Sequence, residues 1–192
     1  MEFVAFADAW QELEDGGVLP RDESVPLPPP PPGVLAALDL ALAEVAESID
    51  LGASSGSSIA VPLERRADAV EQVFHKLRLS PVVIVPRTRW RHVLDAVTFS
   101  LAEHRGWQEI EAESALILNT RDALVCGPAD LRTVRALLEA IFRDGRGPDE
   151  TIFVLPPSGR LLVAAMPGGE VRIEVTSAAM ATSVRDLLAS FA

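Results

Sequence analysis

The chain has 192 residues, 48% of them hydrophobic, and a formal net charge of −11. That length suits one medium domain with a substantial core. No apolar run approaches the roughly 20 residues needed to cross a bilayer, and the opening "MEFVAFADAW" lacks the basic residues and cleavage site of a signal peptide. The expected setting is therefore cytoplasmic.

The charge is unevenly spread. Residues 1–50 hold eleven acidic groups and one arginine, whereas residues 51–192 hold seventeen acids and sixteen bases. The front quarter thus carries nearly all the excess, and its field repels nucleic-acid phosphates and anionic lipid. The expected partner is a protein with a basic or apolar surface, or a second copy of the chain, with no nucleic acid and no membrane. Lys76 is the only lysine, an arginine bias of the kind a GC-rich, bacterial-type genome produces.

In chain order, Phe3, Phe6, Trp10 and Leu13 recur at helical spacing and are followed by Gly16-Gly17, which predicts a short amphipathic helix. Proline lacks an amide proton and fixes its own φ, so the stretch around Pro28–Pro32 predicts a stiff polyproline II linker over 26–33. Beyond it, Leu35, Leu38, Leu42, Val45 and Ile49 fall at three- and four-residue steps, with Asp39 and Glu47 opposite, and predict a helix over 35–50. "GASSGSS", 52–58, reads as a loop. Leu63, Val70, Val73, Phe74 and Leu77 predict a further helix over 63–78. Residues 1–80 thus read as an acidic, helical segment set apart from an α+β domain over 81–192.

The pattern changes at "VVIV", 82–85, a continuous β-branched run of the kind found in a strand buried on both faces. A helix follows, with Thr88 as its N-cap and Trp90, Val93, Leu94, Val97 and Leu101 as its stripe. "EIEAESALILNTRDALVC" predicts two strands joined by a turn near Asn119–Asp122. A helix over 129–144 comes next, carrying Leu131, Val134, Leu137, Leu138, Ile141 and Phe142 inward. Three strands, "TIFVLPP", "RLLVAAM" and "VRIEVT", are separated by "PSG" and "PGG" turns, and a last helix over 177–190 buries Met180, Val184, Leu187 and Leu188. The expected fold is α+β, a mainly antiparallel sheet of about five or six strands in the order β-α-β-β-α-β-β-β-α, with helices covering one face. After residue 86 this order resembles that of roadblock-type dimerisation modules and, more distantly, of small acidic bacterial secretion chaperones. The resemblance is one of element order; separately, a homodimer is among the assemblies expected of the chain.

The chain contains no G-x-S-x-G, G-x-x-x-x-G-K-[ST], H-E-x-x-H, C-x-x-C or G-x-G-x-x-G. His92 and His104 are about 18 Å apart along one helix, too far to share a metal, and His75 sits on another. Cys126 ends a strand just ahead of a helix, where a dipole lowers a thiol pKa, but its "ALVCGP" setting is that of a buried, inert thiol. Glu109, Glu111 and Glu113 alternate along a strand, an arrangement that suits either acid–base work or a solvated face. No metal or cofactor is expected.

One cluster stands out. Arg87, Arg89 and Arg91 surround Trp90 at a helix start, where the dipole costs each unpaired cation about 0.3–1 kcal/mol. Three accounts are open: an anionic ligand held by guanidinium groups and helix amides with Trp90 as a stacking surface; the chain's own acids at 12–17 and 21–24 folding back; or solvated arginines with Trp90 packed inward. Arg87, Arg89, Trp90 and Arg91 are therefore the candidate binding residues. The charge asymmetry and the missing catalytic motifs favour a non-enzymatic interaction module, an adaptor, chaperone-like or regulatory protein. The alternative is a small α+β enzyme with an unrecognised acid–base or Cys126-based site.

Overall fold

Two strand segments, "IFVL" at 152–155 and "LLVAA" at 161–165, are apolar at every position, so a sheet containing them exposes hydrocarbon on both faces unless both are covered. The computed structural model, which describes residues 1–22, 36–52, 58–102, 104–108 and 117–192, shows how this is met. An eight-stranded mixed sheet lies between a layer of helices and a second, smaller layer supplied by the front of the chain. The class is α+β, but the sheet is larger than expected and not purely antiparallel.

The strands are β1 (Glu2–Val4), β2 (Val18–Pro20), β3 (Leu40–Leu42), β4 (Glu47–Leu51), β5 (Ser58–Ile59), β6 (Val82–Pro86), β7 (Ala123–Cys126), β8 (Ile152–Leu155), β9 (Leu161–Ala165) and β10 (Val171–Val175). The main sheet runs β1-β7-β6-β8-β9-β10-β4-β5. Its neighbours are antiparallel except β4 and β5, which pair in parallel. Strands β2 and β3 form a separate antiparallel pair. The helices are α1 (Phe6–Asp15), α2 (Arg66–Lys76), α3 (Trp90–Leu101), α4 (Leu131–Asp144) and α5 (Ala178–Ala189).

Side chains alternate across the sheet, and the two resulting cores are distinct. Val82, Ile84, Ile152, Val154, Leu161, Val163, Val171 and Ile173 face α2, α3, α4 and α5. Val83, Val85, Phe153, Leu155, Leu162 and Ala164 face the other way, onto Phe6, Trp10 and Leu13 of α1 and onto Val18, Leu38, Leu40 and Leu42 of the β2–β3 pair. Both faces are therefore covered, not one.

The predicted helix over 35–50 is replaced by β3 and β4. In a helix Leu40 would have stood off the apolar stripe, yet it is fully buried, and Val45, which the stripe required inside, is exposed. Leu40/Leu42 and Ile49/Leu51 satisfy a period of two, and β10 offers Ile49 a partner through the Ile173 pairing. Phe3 likewise belongs to β1, where it meets Trp90 edge-on with centroids 5.5 Å apart. Leu63 is exposed because α2 starts later, at Arg66, after a 3-10 turn. The first strand of the predicted hairpin leading into β7 falls largely on residues 109–116, which lie outside the described residues. Both edges of β7 are taken, by β1 and β6, and Ile117–Thr120 is a turn closed by Thr120 N–H on the Ile117 carbonyl at 2.9 Å. The proline run 26–33, most of the Ser/Gly-rich loop and Glu109, Glu111 and Glu113 lie outside the described residues. Arg21 donates its backbone N–H to Asp39 O at 2.7 Å.

The end of α1 is seated on the β8–β9 turn. Gly16 closes the helix, and a Cβ there would overlap the Pro157 carbonyl oxygen. Gly159, at φ +60°, would drive its own Cβ into the Gly16 carbonyl. Gly159→Ala is expected to cost about 2–4 kcal/mol, from the left-handed backbone together with the clash. Gly168→Ala, at φ +75° with open space around it, is expected to cost only about 1 kcal/mol. Urea unfolding of both variants measures the difference, and equal losses would contradict this docking.

Candidate functional site

The candidate cluster lies at the corner between β6 and α3. Strand β6 runs out at Pro86, and Arg87 N–H donates to Thr151 O at 2.9 Å. Arg89 is extended (φ −135°, ψ 155°) and occupies the N-cap position of α3 without a side-chain cap. Thr88, expected to cap, is engaged elsewhere: its hydroxyl donates to Asp149 O at 2.9 Å and lies 2.7 Å from His92 Nδ1. The amides of the first turn are satisfied by the chain itself, Trp90 N–H on Thr120 O at 3.2 Å and Arg91 N–H on Leu118 O at 2.7 Å.

The four predicted residues have separate fates. Trp90 is completely buried and donates Nε1–H to Asp122 O at 2.6 Å, so it is core and offers no stacking surface. Arg87 holds Asp39 through Nε–H at 2.8 Å and Nη2–H at 3.2 Å, with Asp149 at 3.7 Å. The Asp39 hydrogen bond raises its pKa against the opposing effect of burial. The chain does supply an acid to this cluster, Asp39; of the predicted stretches 12–17 and 21–24, Glu23 and Ser24 lie outside the described residues. Arg91 is exposed. Arg89 is half-buried, and its Nε lies out of solvent without an acceptor.

A fifth residue, Arg121, was not singled out from sequence. It is 2% exposed. Its Nε–H donates to Thr88 O at 3.1 Å, and Nη2–H donates to Arg87 O at 3.0 Å and to Ala36 O. The guanidinium carbon lies 5.8 Å from the centre of the Phe6 ring, and Nη1 has no hydrogen-bond acceptor. Burial lowers its pKa to about 10, which leaves it charged at neutral pH. A lone arginine in "NTRDA" reads as turn polarity. The only hint in the sequence is its place between an apolar turn and an apolar strand.

The other candidates do not converge. His75 is exposed on α2, His92 pairs with Thr88, and His104 Nδ1 is buried without a partner. Among the described residues no group of three His, Cys, Asp or Glu side chains is placed to hold a metal, and no helix is long and apolar enough to cross a membrane. Two open clefts lie in the helix layer. One, of about 480 Å³, is lined by Leu63, Ala67 and Phe142 with Glu64, Glu139 and Arg143. The other, of about 490 Å³, is lined by Glu71, Gln72, His75 and Arg132 over Pro128 and Leu131. Compared with known proteins, the chain matches no family model, no curated protein and no solved structure.

Cys126 is fully buried in the helix-side core. Burial, with Asp130 adding to it, pushes its pKa up to about 12, so the thiol stays protonated and is a poor nucleophile. Iodoacetamide is expected to leave Cys126 unlabelled in the native protein and to label it in urea. The raised pKa also sets a pH dependence. Above the ordinary value of 9.0 the unfolded chain loses this proton while the folded one keeps it. The contribution of Cys126 to stability is thus whole below pH 9.0 and falls as pH rises towards about 12. Cys126→Ser should flatten that part of the stability–pH curve, and rapid native labelling at neutral pH would contradict the assignment.

Proposed function

We propose that the protein is a non-enzymatic interaction module, an adaptor, chaperone-like or regulatory protein, and that it recognises a basic protein surface through the outer face of α1. The observation that carries this reading is the difference between the two layers. On the helix layer and at its margin many carboxylates are matched by arginines, Asp68, Glu71 and Glu139 around Arg135 and Glu47 with Arg185, and those without a cation among the described residues, Asp95 on α3 and Asp186 on α5, stand one to a helix. On α1, Asp8, Glu12, Glu14 and Asp15 are all exposed, and no cation among the described residues pairs with them. Among the described residues the one side-chain hydrogen bond on that face is Gln11 Nε2–H to Asp15 Oδ1 at 3.2 Å.

An unpaired acidic ridge on a rigid, well-packed helix attracts a basic partner, speeds encounter and selects against phosphate backbones and anionic membranes. Phe6, Trp10 and Leu13 hold the opposite side of the helix in the core, so the carboxylates are presented without the helix having to order on binding. The same physics makes the interaction salt-sensitive, because exposed charges are screened beyond about 8 Å at physiological ionic strength.

The double variant Glu12→Lys/Asp15→Lys changes only exposed side chains and should fold like the parent by circular dichroism. Affinity capture from the source cells at low ionic strength, with the parent and the variant compared, is expected to show a basic partner whose recovery falls about tenfold or more in the variant. The parent should lose the same partner at high salt. Equal recovery by the two proteins would contradict the proposal.

A further inference from the structure

Burying a cationic N–H without an acceptor costs more than burying a neutral one, and a guanidinium normally enters a protein interior opposite a carboxylate or phosphate. At the β6–α3 corner two guanidinium groups depart from this rule together. Arg121 is 98% enclosed, taking its 2% exposure from the whole, and rests on three carbonyl oxygens, which carry only partial charge, while Nη1 has no acceptor. Arg89, one residue beyond the Thr88 carbonyl that receives Arg121, has its Nε in the same condition. The nearby carboxylates are committed elsewhere: Asp122 accepts Phe6 N–H at 3.2 Å, and Asp39 and Asp149 face Arg87. Among the described residues neither Arg89 nor Arg121 has an anionic partner. The face of Phe6 answers part of the charge on Arg121 but accepts no conventional hydrogen bond.

We propose that the β6–α3 corner is a binding site for a phosphate group, free or carried by a small ligand, held between the Arg89 and Arg121 guanidinium groups. Two uncompensated positive charges match the roughly −2 charge of a phosphate at neutral pH, and planar guanidinium groups suit its oxygens. Arg121 is fixed by its carbonyl bonds and forms the floor. Arg89 is half-exposed and forms the entrance. The α3 N-terminus lends its positive end to the field, but its first amides are already bonded to Thr120 and Leu118, so the arginines make the hydrogen bonds. The site is separate from the acidic face of α1 and does not depend on it.

Thermal unfolding of the full chain in inorganic phosphate, matched to sodium chloride of equal ionic strength, tests the site. A ligand that binds only the folded state raises Tm in a saturable way. The expected result is such a rise with phosphate and none with chloride, with half-saturation shifted upward about tenfold or more in Arg89→Gln. That variant keeps the carbonyl bonds of Arg121, so its fold is preserved where Arg121→Met could lose it. Identical Tm values in phosphate and chloride, or an unchanged half-saturation in Arg89→Gln, would overturn the proposal.

Discussion

The structure depends on one constraint: strands β6, β8 and β9 are apolar on both faces, so the sheet they form needs two covers. Four helices drawn from residues 66–189 supply the first. The second has to come from the front of the chain, because no other described segment remains to provide it, and it does come from there as α1 and the β2–β3 pair. Fully burying each of Val83, Val85, Phe153, Leu155 and Leu162 contributes about 1.5–3 kcal/mol relative to exposure. Such burial requires the acidic segment to lie against the sheet, and the same segment extends the sheet at both ends through β1, β4 and β5.

Polar groups mark where this cover meets the sheet. Glu174, buried on β10, receives Arg21 and the Leu42 amide, with Arg172 at 3.3 Å, and so ties the β2–β3 pair to the strand beneath it. Asp39 to Arg87 and Ala36 to Arg121 do the same at the β6–α3 corner. Contacts of this kind add little net stability over an apolar equivalent, but they penalise a shifted register, since a slip of one residue strands a buried charge. The excess negative charge of the front segment is therefore partly used inside the fold. Of what is left over, Asp8, Glu12, Glu14 and Asp15 are displayed on the outer face of α1.

Much of the helix-side architecture was legible from residues. The helical stripes of α3 and α4, the β-branched run of β6 and the Pro-Ser-Gly and Pro-Gly-Gly turns each combine a period with a stop signal, and two concordant signals leave little ambiguity. The front segment was not legible for a physical reason. In "GVLAALDLALAEVAESIDL" leucine, alanine and valine are dense enough to satisfy a period of 3.6 and a period of two together, and pairing with β10, not local preference, decides between them. The information that points to strands sits more than a hundred residues away, in the unmet face of β8 and β9. The site was legible in part. Arg87 and Arg89 stand at the corner, but Trp90 turns into the core and the most deeply enclosed cation is Arg121. A single arginine in a turn carries no spacing signal, and its neighbours Ala36, Arg87 and Thr88 are brought to it only by the tertiary fold.

The two functional readings rest on opposite sides of this arrangement, an acidic helix face held outward by the second core and a cationic corner where that core meets the sheet. Both require residues 40–51 to be strands laid on and beside the sheet. Carbon-13 secondary chemical shifts over Leu40–Leu51, with cross-strand nuclear Overhauser contacts between Ile49 and Ile173, measure this most directly. Extended shifts for Leu40–Leu42 and Glu47–Leu51 together with the Ile49–Ile173 contact are the predicted result. A continuous run of helical shifts across these residues, without that contact, would contradict it.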